Sequence, residues 1–440
     1  MIPSPQQEFT ACLPRHHYSA GVIGLFLIMV LCCAASQRGA AAILELLRTW
    51  LPGVVDTPCA NTGRLWLLRL GLYELTRPKE QAEDWVWVID HTLQLGPWKC
   101  LVIVGVRLSA WLRDRRPLEH GDLTLLNLTP MHGSTGEQVH TALRQTVAQT
   151  GVPVAVVGDG AADLRNGLEL LQATHPSVVQ AYDVKHKMAL LLKKELEADP
   201  QWTEFITQTN LTKRQLTQTE LAFLVPPSLK GKARYLNVDT LVRWGRRVLG
   251  YLEQPQAAGI EVDPARREGK LGWVRKFQPA LEHWSQIMNV VQTTEEYIRY
   301  EGYHRQAAGE LAHRLAAENL SPAAQRIQEA ALAFVSEQSA AAQPDGQRLI
   351  GSSEVLESLI GKYKQLQSTH SQGGMTAMLL SFGAIVCPKT PEFIQTALTQ
   401  VRSSDVTDWS REKLGITLQA QRKRAFGRNK SRIQNPRPGN

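Results

Sequence analysis

The sequence contains few cysteines, and their spacing excludes two kinds of structural site. There are six cysteines in 440 residues, and no two of them form a C-x-x-C pair. Neither a zinc site nor a disulfide framework is predicted, because both use cysteines at recurring short intervals. Scattered cysteines suit a reducing compartment, and we expect a cytoplasmic protein.

The sequence also lacks an apolar run long enough to span a bilayer. The longest run, Ala20–Ala35, would form a helix of roughly 24 Å, shorter than the roughly 30 Å hydrocarbon core of a membrane. We therefore expect no membrane span. The run is either a secretory signal segment or a buried first helix. We favour the helix, because Ser36 is placed to cap a second helix directly after it.

Acidic residues are scarce at the C-terminal end. The net charge of the chain is +8, and the segment from Arg411 onward carries nine basic residues against the single acid Glu412. We expect a disordered tail over residues 403–440 that contacts a phosphate backbone, with a purely solubilising tail as the alternative. The candidate DNA-binding residues of this tail are Arg422, Lys423 and Arg424.

Residues 1–78 predict a small helical head. Apolar residues at helical spacing indicate helices over Gln37–Trp50 and Gly63–Leu75. Together with the preceding apolar run they resemble a helix-turn-helix unit, which binds DNA through its last helix. Arg64 and Arg69 on that last helix are therefore candidate DNA-binding residues.

Residues 79–198 predict three sequential strands followed by two strand–helix units. The strands are predicted at Trp85–Thr92, Lys99–Leu108, Asp122–Leu128, Val154–Val157 and Val178–Asp183. An antiparallel meander extended by parallel strands is the order of an RNase H-like fold. We therefore predict an α/β protein with an RNase H-like mixed five-stranded sheet and flanking helices.

The rest of the chain predicts helices and no further strand. Residues 199–346 indicate an all-α insertion that interrupts the core. Residues 347–402 then complete the core before the basic tail begins at residue 403. In this scheme residues 79–198 form only the first part of the core.

Three carboxylates are candidates for a metal site. Asp90 ends the apolar run of the first strand and Asp159 follows the fourth strand, and these two strands are neighbours in an RNase H-like sheet. A helix packed on that sheet offers Glu357 as the third acid, with Glu354 one turn away as its rival. Carboxylates are the ligands that Mg²⁺ and Mn²⁺ prefer, and two such ions support phosphodiester cleavage and transfer.

Local motifs around these residues resemble those of DDE-type DNA transposases of the insertion-sequence kind. The stretch Tyr182–His186 (YDVKH) resembles the D-x-x-H element that follows the second catalytic acid in hAT-like and related eukaryotic transposases. The stretch Ser353–Ser358 (SEVLES) resembles the serine-rich approach to the third acid in the same eukaryotic transposases. Glu357 also precedes Lys364 at the spacing of the Glu–Lys signature of the insertion-sequence transposases.

The resemblance implies an enzyme that cuts and joins DNA with Asp90, Asp159 and Glu357 as its metal-binding triad. It further implies two Mg²⁺ or Mn²⁺ ions per active site, transposon ends and target DNA as partners, a homodimer, and association with the nucleoid. The match is partial, since the Tyr and Arg that precede the last acid in the signature would fall at Ile350 and Ser353.

Two further residues have both a functional and a structural interpretation. Asp183 and His186 take part in catalysis directly, or they support the catalytic acids, or they only cap and brace the helix that follows the fifth strand. Two rival functions also stay open: another RNase H-like nuclease, and a domesticated DNA-binding protein that retains the fold without turnover. A secreted or anchored protein is the third rival, if the first 35 residues are a signal.

Candidate DNA contacts also lie outside the head and the tail. In the insertion, Arg243 and Trp244 are placed to contact DNA, the tryptophan by stacking on a base. The apolar residues around Trp244 favour the alternative that it is a core residue. On the helix of the third acid, Lys362 and Lys364 either bind phosphate or form a solvated face.

Overall fold

The computed structural model describes residues 12, 16–50, 56–228, 235, 238–260, 262–316, 319–342, 347–368, 375–416 and 418–426. Five strands form one sheet: β1 (Trp85–Leu95), β2 (Trp98–Arg107), β3 (Thr124–His132), β4 (Ala155–Gly158) and β5 (Val179–Tyr182). Their order is β3-β2-β1-β4-β5. Strands β1, β2 and β3 pair antiparallel, whereas β4 pairs parallel with both β1 and β5. The mixed five-stranded sheet is thus confirmed, and it is consistent with an RNase H-like fold.

Helices flank this sheet and make up most of the remaining described chain. The first nine are α1 (Ala20–Leu31), α2 (Gln37–Leu47), α3 (Ala60–Thr76), α4 (Leu108–Asp114), α5 (Gly136–Thr150), α6 (Ala162–Thr174), α7 (Val184–Glu197), α8 (Pro200–Leu216) and α9 (Val238–Glu253). The next are α10 (Pro264–Leu271), α11 (Gln278–Glu301), α12 (Ala307–Arg314), α13 (Pro322–Ala340), α14 (Glu354–Ser368), α15 (Ser381–Val386), α16 (Pro391–Gln400), α17 (Ser403–Leu414) and α18 (Leu418–Phe426).

The two faces of the sheet bury alternate residues of β1. Trp87 and Ile89 belong to a core cluster with the apolar residues of α5 and α6. Val86 and Val88 belong to the other cluster, which includes residues of α7 and α14. Because successive side chains of a strand point to opposite faces, Asp90 lies on the α14 face and His91 on the α6 face.

The N-terminal helices pack on helices from the other end of the chain. Ser19 caps α1 and Ser36 caps α2 through hydroxyl groups that accept from the Val22 and Gly39 amides. Most of α1 is buried, and α3 contacts α15 and α16. No described helix combines the length and the apolar composition that a membrane span requires. The helix-turn-helix role of this region stays a prediction.

Helices α8, α9 and α11 and the short segment between α10 and α11 share an aromatic core. The ring centroids of Trp202, Trp244, Trp273 and Trp284 lie 5.3–6.3 Å from that of Phe205. Among the described residues of this region there is no strand. Its division into a separate inserted domain stays a prediction.

One isolated bridge leads the chain from this helical region back to the sheet. Tyr303 pairs antiparallel with Leu349, and its hydroxyl donates to the Tyr182 carbonyl at the end of β5. The Val184 amide donates to the Gly351 carbonyl. These bonds hold the segment before α14 beside the end of β5.

The structure differs from the expectation of a disordered tail beginning at residue 403. Helices α17 and α18 occupy most of residues 403–426. Val406, Trp409 and Leu414 bury one side of α17, which contacts α3 and β3. Disorder was predicted because the segment is strongly basic. The three apolar residues give α17 a face that packs on the rest of the protein, so the helix forms. The rest of the predicted tail lies outside the described residues.

Candidate metal centre

The register of two adjacent parallel strands places Asp90, in the middle of β1, beside Asp159, which follows β4. Val86 is paired with Ala155 and Val88 with Val157, so the same register carries Asp90 to Asp159. Asp159 stands directly after β4, and the glycine that follows it, Gly160, has a φ of +73°. That conformation is open to glycine at little cost, and it turns the chain sharply toward α6.

A backbone amide holds each of these two carboxylates. The His91 amide donates to Asp90 Oδ1 over 2.6 Å. The Ala161 amide donates to Asp159 Oδ1 over 2.9 Å. Each bond uses one carboxylate oxygen and leaves the other oxygen of the same side chain available for a ligand.

The crowding of acids perturbs the pKa of Asp90. Burial raises it to about 7, and the negative charge of Asp159 adds to the effect. Glu357 raises it further, whereas the His91 amide and the His186 charge act in the opposite direction. Asp90, Asp159 and Glu357 are therefore close enough to interact electrostatically, and a bound cation would relieve their repulsion.

Glu357 reaches this site from the first turn of α14. Its Oε2 accepts from Lys185 Nζ over 2.9 Å, and its Oε1 lies 3.7 Å from His186 Nδ1. Oε1 is buried and has no hydrogen-bond partner. Glu354, its rival, pairs with Arg299 instead and lines a separate cavity of about 520 Å³. Glu357, and not Glu354, is among the charges that act on Asp90.

Buried Asp183 and half-buried His186 form an ion pair beside the acids. Asp183 is fully buried and caps α7, where its Oδ2 accepts from the His186 amide over 3.2 Å. Its Oδ1 accepts from the Ser353 amide over 3.0 Å. Because Ser353 directly precedes α14, this last bond fixes the start of the helix that carries Glu357.

The pKa of His186 is raised and the pKa of Asp183 is lowered in this pair. The hydrogen bond between Asp183 and His186 Nδ1, at 2.8 Å, is the main reason that the pKa of His186 rises to about 9. Burial alone would raise the pKa of Asp183, but its bonds to His186 and Ser353 hold it below its ordinary value. His186 is therefore an imidazolium and Asp183 a carboxylate at neutral pH.

Among the described residues, one group brings three ligand atoms close enough together to hold a metal ion, and it differs from the predicted triad. Asp183, His186 and Glu357 bring one ligand atom each within 4.8 Å of one another. However, the Asp183 oxygens already accept three hydrogen bonds, one of them from His186 Nδ1. Asp90, Asp159 and Glu357 do not bring their oxygens as close to one another, but all three are hard oxygen ligands of the kind that Mg²⁺ and Mn²⁺ prefer.

The structure turns two of the predicted DNA-binding residues inward. Arg69 donates through Nε to the Val401 carbonyl over 2.7 Å, and through Nη2 to the Leu398 carbonyl. Trp244 is buried, and its indole nitrogen donates to the Leu224 carbonyl over 2.8 Å. Both side chains satisfy the protein's own carbonyl groups, and Trp244 fits its alternative interpretation as a core residue.

The other predicted DNA-binding residues lie at or near the surface. Arg64 is half-buried and donates to Asn61, and exposed Arg243 pairs with Asp239. Lys364 is exposed on α14, whereas Lys362 on the same helix is half-buried. Arg422, Lys423 and Arg424 lie in α18.

Three residues near the site escaped the sequence-based prediction. Lys185 pairs with Glu357, and its position inside the YDVKH motif was the available signal. Glu295 of α11 is largely buried, and burial raises its pKa to about 8. Arg299 pairs with Glu354. No local pattern in α11 marks the last two, because only the packing of α11 on α7 brings them here.

Comparisons with known proteins add little to this geometry. No protein-family model matches the chain, and no curated protein matches it. The solved structure of the Drosophila P element transposase strand transfer complex aligns with 88% of this chain and 94% of that chain. The aligned residues are 10% identical and the TM-score is 0.39, which supports no conclusion about activity.

Proposed function

We propose that this chain is a DDE-type DNA transposase that cleaves transposon ends and joins them to target DNA. One observation carries the proposal: Asp90 and Asp159 lie side by side on adjacent strands, and the charges of Asp159 and Glu357, from distant parts of the sequence, both act on Asp90. Burial and these two charges raise the pKa of Asp90, which is typical of a site built to receive cations.

The proposed chemistry is metal-dependent phosphodiester hydrolysis and transesterification. Two divalent ions held by Asp90, Asp159 and Glu357 would supply activation of the attacking oxygen and stabilisation of the leaving oxygen. The protein's own contribution is to fix the three carboxylates. The His91 and Ala161 amides do this for the two aspartates.

Lys185 and His186 have proposed roles that follow from their contacts. Lys185 neutralises Glu357 through a 2.9 Å contact and keeps that carboxylate oriented. His186 carries a positive charge beside the site because Asp183 holds its Nδ1. A positive charge there attracts the DNA phosphate, so we assign His186 a supporting electrostatic role.

The wider assignments follow from the same proposal. Residues 1–78 recognise transposon ends, residues 199–346 form an insertion in the catalytic core, and residues 347–402 complete that core. Arg64 and Arg243 contact DNA, as do Lys362, Lys364 and the basic cluster Arg422, Lys423 and Arg424. The protein acts as a homodimer, because two ends must be brought together, and it works in the cytoplasm on the nucleoid.

A cleavage and joining assay tests the proposal. The purified chain is incubated with labelled DNA from either flank of its gene and a supercoiled target plasmid, with Mg²⁺, with Mn²⁺ or with EDTA. We expect metal-dependent nicks and joined products. Asp90→Asn, Asp159→Asn and Glu357→Gln should each lower the rate by at least about 10³-fold, since each removes a metal ligand.

Glu354→Gln is the matched control on the same helix, and it should retain cleavage because Glu354 pairs with Arg299. Loss of activity in Glu354→Gln with full activity in Glu357→Gln would transfer the third acid to Glu354. Cleavage without joining would indicate another RNase H-like nuclease. DNA binding with neither reaction would indicate a domesticated binding protein.

A further inference from the structure

A polar cluster lies on the opposite face of the sheet from the three acids. Asp163, in the first turn of α6, accepts from Lys99 Nζ over 3.1 Å, and His91 Nδ1 lies 3.8 Å from the same Oδ2. Ser134 Oγ lies 3.0 Å from His91 Nε2 and contributes to the lowered pKa of Asp163. The cluster therefore joins β1, β2, α6 and the turn between β3 and α5.

The cluster is well shielded from solvent. The side chains of His91 and Asp163 are only 11% and 13% exposed, and that of Lys99 is 34% exposed. Burial alone would raise the pKa of Asp163, but the bond from Ser134 and the charges of His91 and Lys99 hold it below its ordinary value. Asp163 is thus a carboxylate with several simultaneous partners, and such networks rigidify their surroundings.

The same backbone segments carry the amides that orient the two aspartates. The His91 amide holds Asp90 Oδ1, while the His91 ring belongs to the cluster. The Ala161 amide holds Asp159 Oδ1, and Ala161 immediately precedes α6, whose first turn contains Asp163. A shift of α6 relative to β1 would therefore move the two orienting amides apart.

We propose that His91, Ser134, Lys99 and Asp163 are positioning residues that set the distance between the Asp90 and Asp159 carboxylates. They do not touch the ions or the DNA, and they act through the two amides. The inference rests on the proposed function, because it assumes that the two carboxylates bind metal together. It assigns the cluster a role in metal affinity beyond a role in folding.

Direct Mn²⁺ binding tests this role without any DNA substrate. Isothermal titration calorimetry on the full chain would compare wild type, Asp90→Asn, Asp163→Asn, His91→Ala and His91→Gln. We expect Asp163→Asn and His91→Ala to weaken Mn²⁺ binding about tenfold, the lower end of the usual effect of residues behind a metal site. His91→Gln should regain much of the affinity, since its amide nitrogen can replace the Nε2 contact with Ser134.

Ser134→Ala provides a milder variant, because it removes only a hydroxyl group, and it should weaken binding a few-fold. Arg165→Gln is the matched control, since Arg165 forms an exposed pair with Glu169 on the same helix, and it should bind as wild type does. Thermal unfolding of every variant separates loss of fold from loss of affinity.

The outcomes distinguish this inference from the proposed function. If Asp90→Asn lowers Mn²⁺ affinity while Asp163→Asn, His91→Ala and Ser134→Ala keep it, the cluster is structural and the inference is wrong. If Asp90→Asn leaves Mn²⁺ binding unchanged, the proposed metal centre itself is wrong. Lower melting temperatures without weaker binding would also overturn the positioning role.

Discussion

The candidate site concentrates like charges in a buried place, and this costs stability. Asp90 is mostly buried, and both burial and the Asp159 charge raise its pKa. Glu357 is compensated by Lys185, but no lysine or arginine in the described part of the chain forms an ion pair with Asp90. A carboxylate kept where its ionised form is unfavourable is a common sign of selection for activity over stability.

Replacing Asp90 should therefore stabilise the metal-free protein. The folded-state pKa of Asp90, about 7, lies above the unfolded value, so ionisation costs stability as the pH rises from about 4 to 7. The cost is complete above that range. Asp90→Asn should raise the free energy of unfolding by up to about 4 kcal/mol at pH 8 and by less at pH 5, as measured by urea denaturation in EDTA.

Asp84→Asn is the contrasting variant at the start of the same strand. Burial acts to raise the pKa of Asp84, but the bonds from Ser109 and Arg107 outweigh it and hold the pKa below its ordinary value. Removing this carboxylate should destabilise the protein at pH 8. An unchanged or lower stability of Asp90→Asn at pH 8 would contradict the prediction.

At the level of elements, close backbone contact joins the two ends of the chain. Gly71 of α3 faces α15 so closely that a Cβ atom at Gly71 would lie 1.7 Å from the Leu380 carbonyl oxygen. A Cβ atom at Gly383 on the facing helix would likewise lie 2.5 Å from the Gly71 carbonyl oxygen. Glycine on both sides lets the two helices approach to a distance that no larger residue permits.

Gly71→Ala should consequently destabilise the fold by about 2–3 kcal/mol, the usual cost of overpacking a tight contact. Gly250→Ala is the matched control, because Gly250 lies in helix α9 and a methyl group added there would meet no atom within 4 Å. There the better helix propensity of alanine should stabilise by about 0.5–1 kcal/mol. Equal melting temperatures for the two variants would show that α3 and α15 separate easily.

At the level of the whole molecule, the N-terminal helices cover part of the core. Helix α3 contacts α15, α16, α17 and β3, and Arg69 bonds to carbonyl groups at the end of α16. These contacts join the predicted head to the predicted core through a buried apolar surface. A large apolar interface argues against independent motion of the two regions.

Deleting residues 1–78 should therefore expose apolar surface and cause aggregation. We expect the remaining chain to lose its cooperative thermal transition and to elute as large species in size-exclusion chromatography. Deleting residues 427–440 is the control. It removes four basic residues and leaves the N-terminal helices in place. That shorter chain should keep its melting temperature and show weaker, less salt-dependent DNA binding. A soluble, cooperatively folding chain of residues 79–440 would establish the head as an independent unit.

The sequence by itself determined the sheet and two of its acids. Alternating and continuous apolar runs set the strands, and the pattern of connections set their order. The glycine-flanked Asp159 and the strand residue Asp90 followed from the same local signals, because strand and turn preferences depend on neighbouring residues. Their proposed roles depend on how those strands are brought together.

Only the tertiary structure decided between residues with the same local pattern. Glu354 and Glu357 lie on one helical turn, and the approach of Lys185 and Arg299 from distant helices separates them. Trp244 and Arg69 face inward, and α17 is ordered, because each meets a surface contributed by a remote segment. Contacts between remote segments leave no local pattern in the sequence, whereas strands and turns are marked by the residues around them.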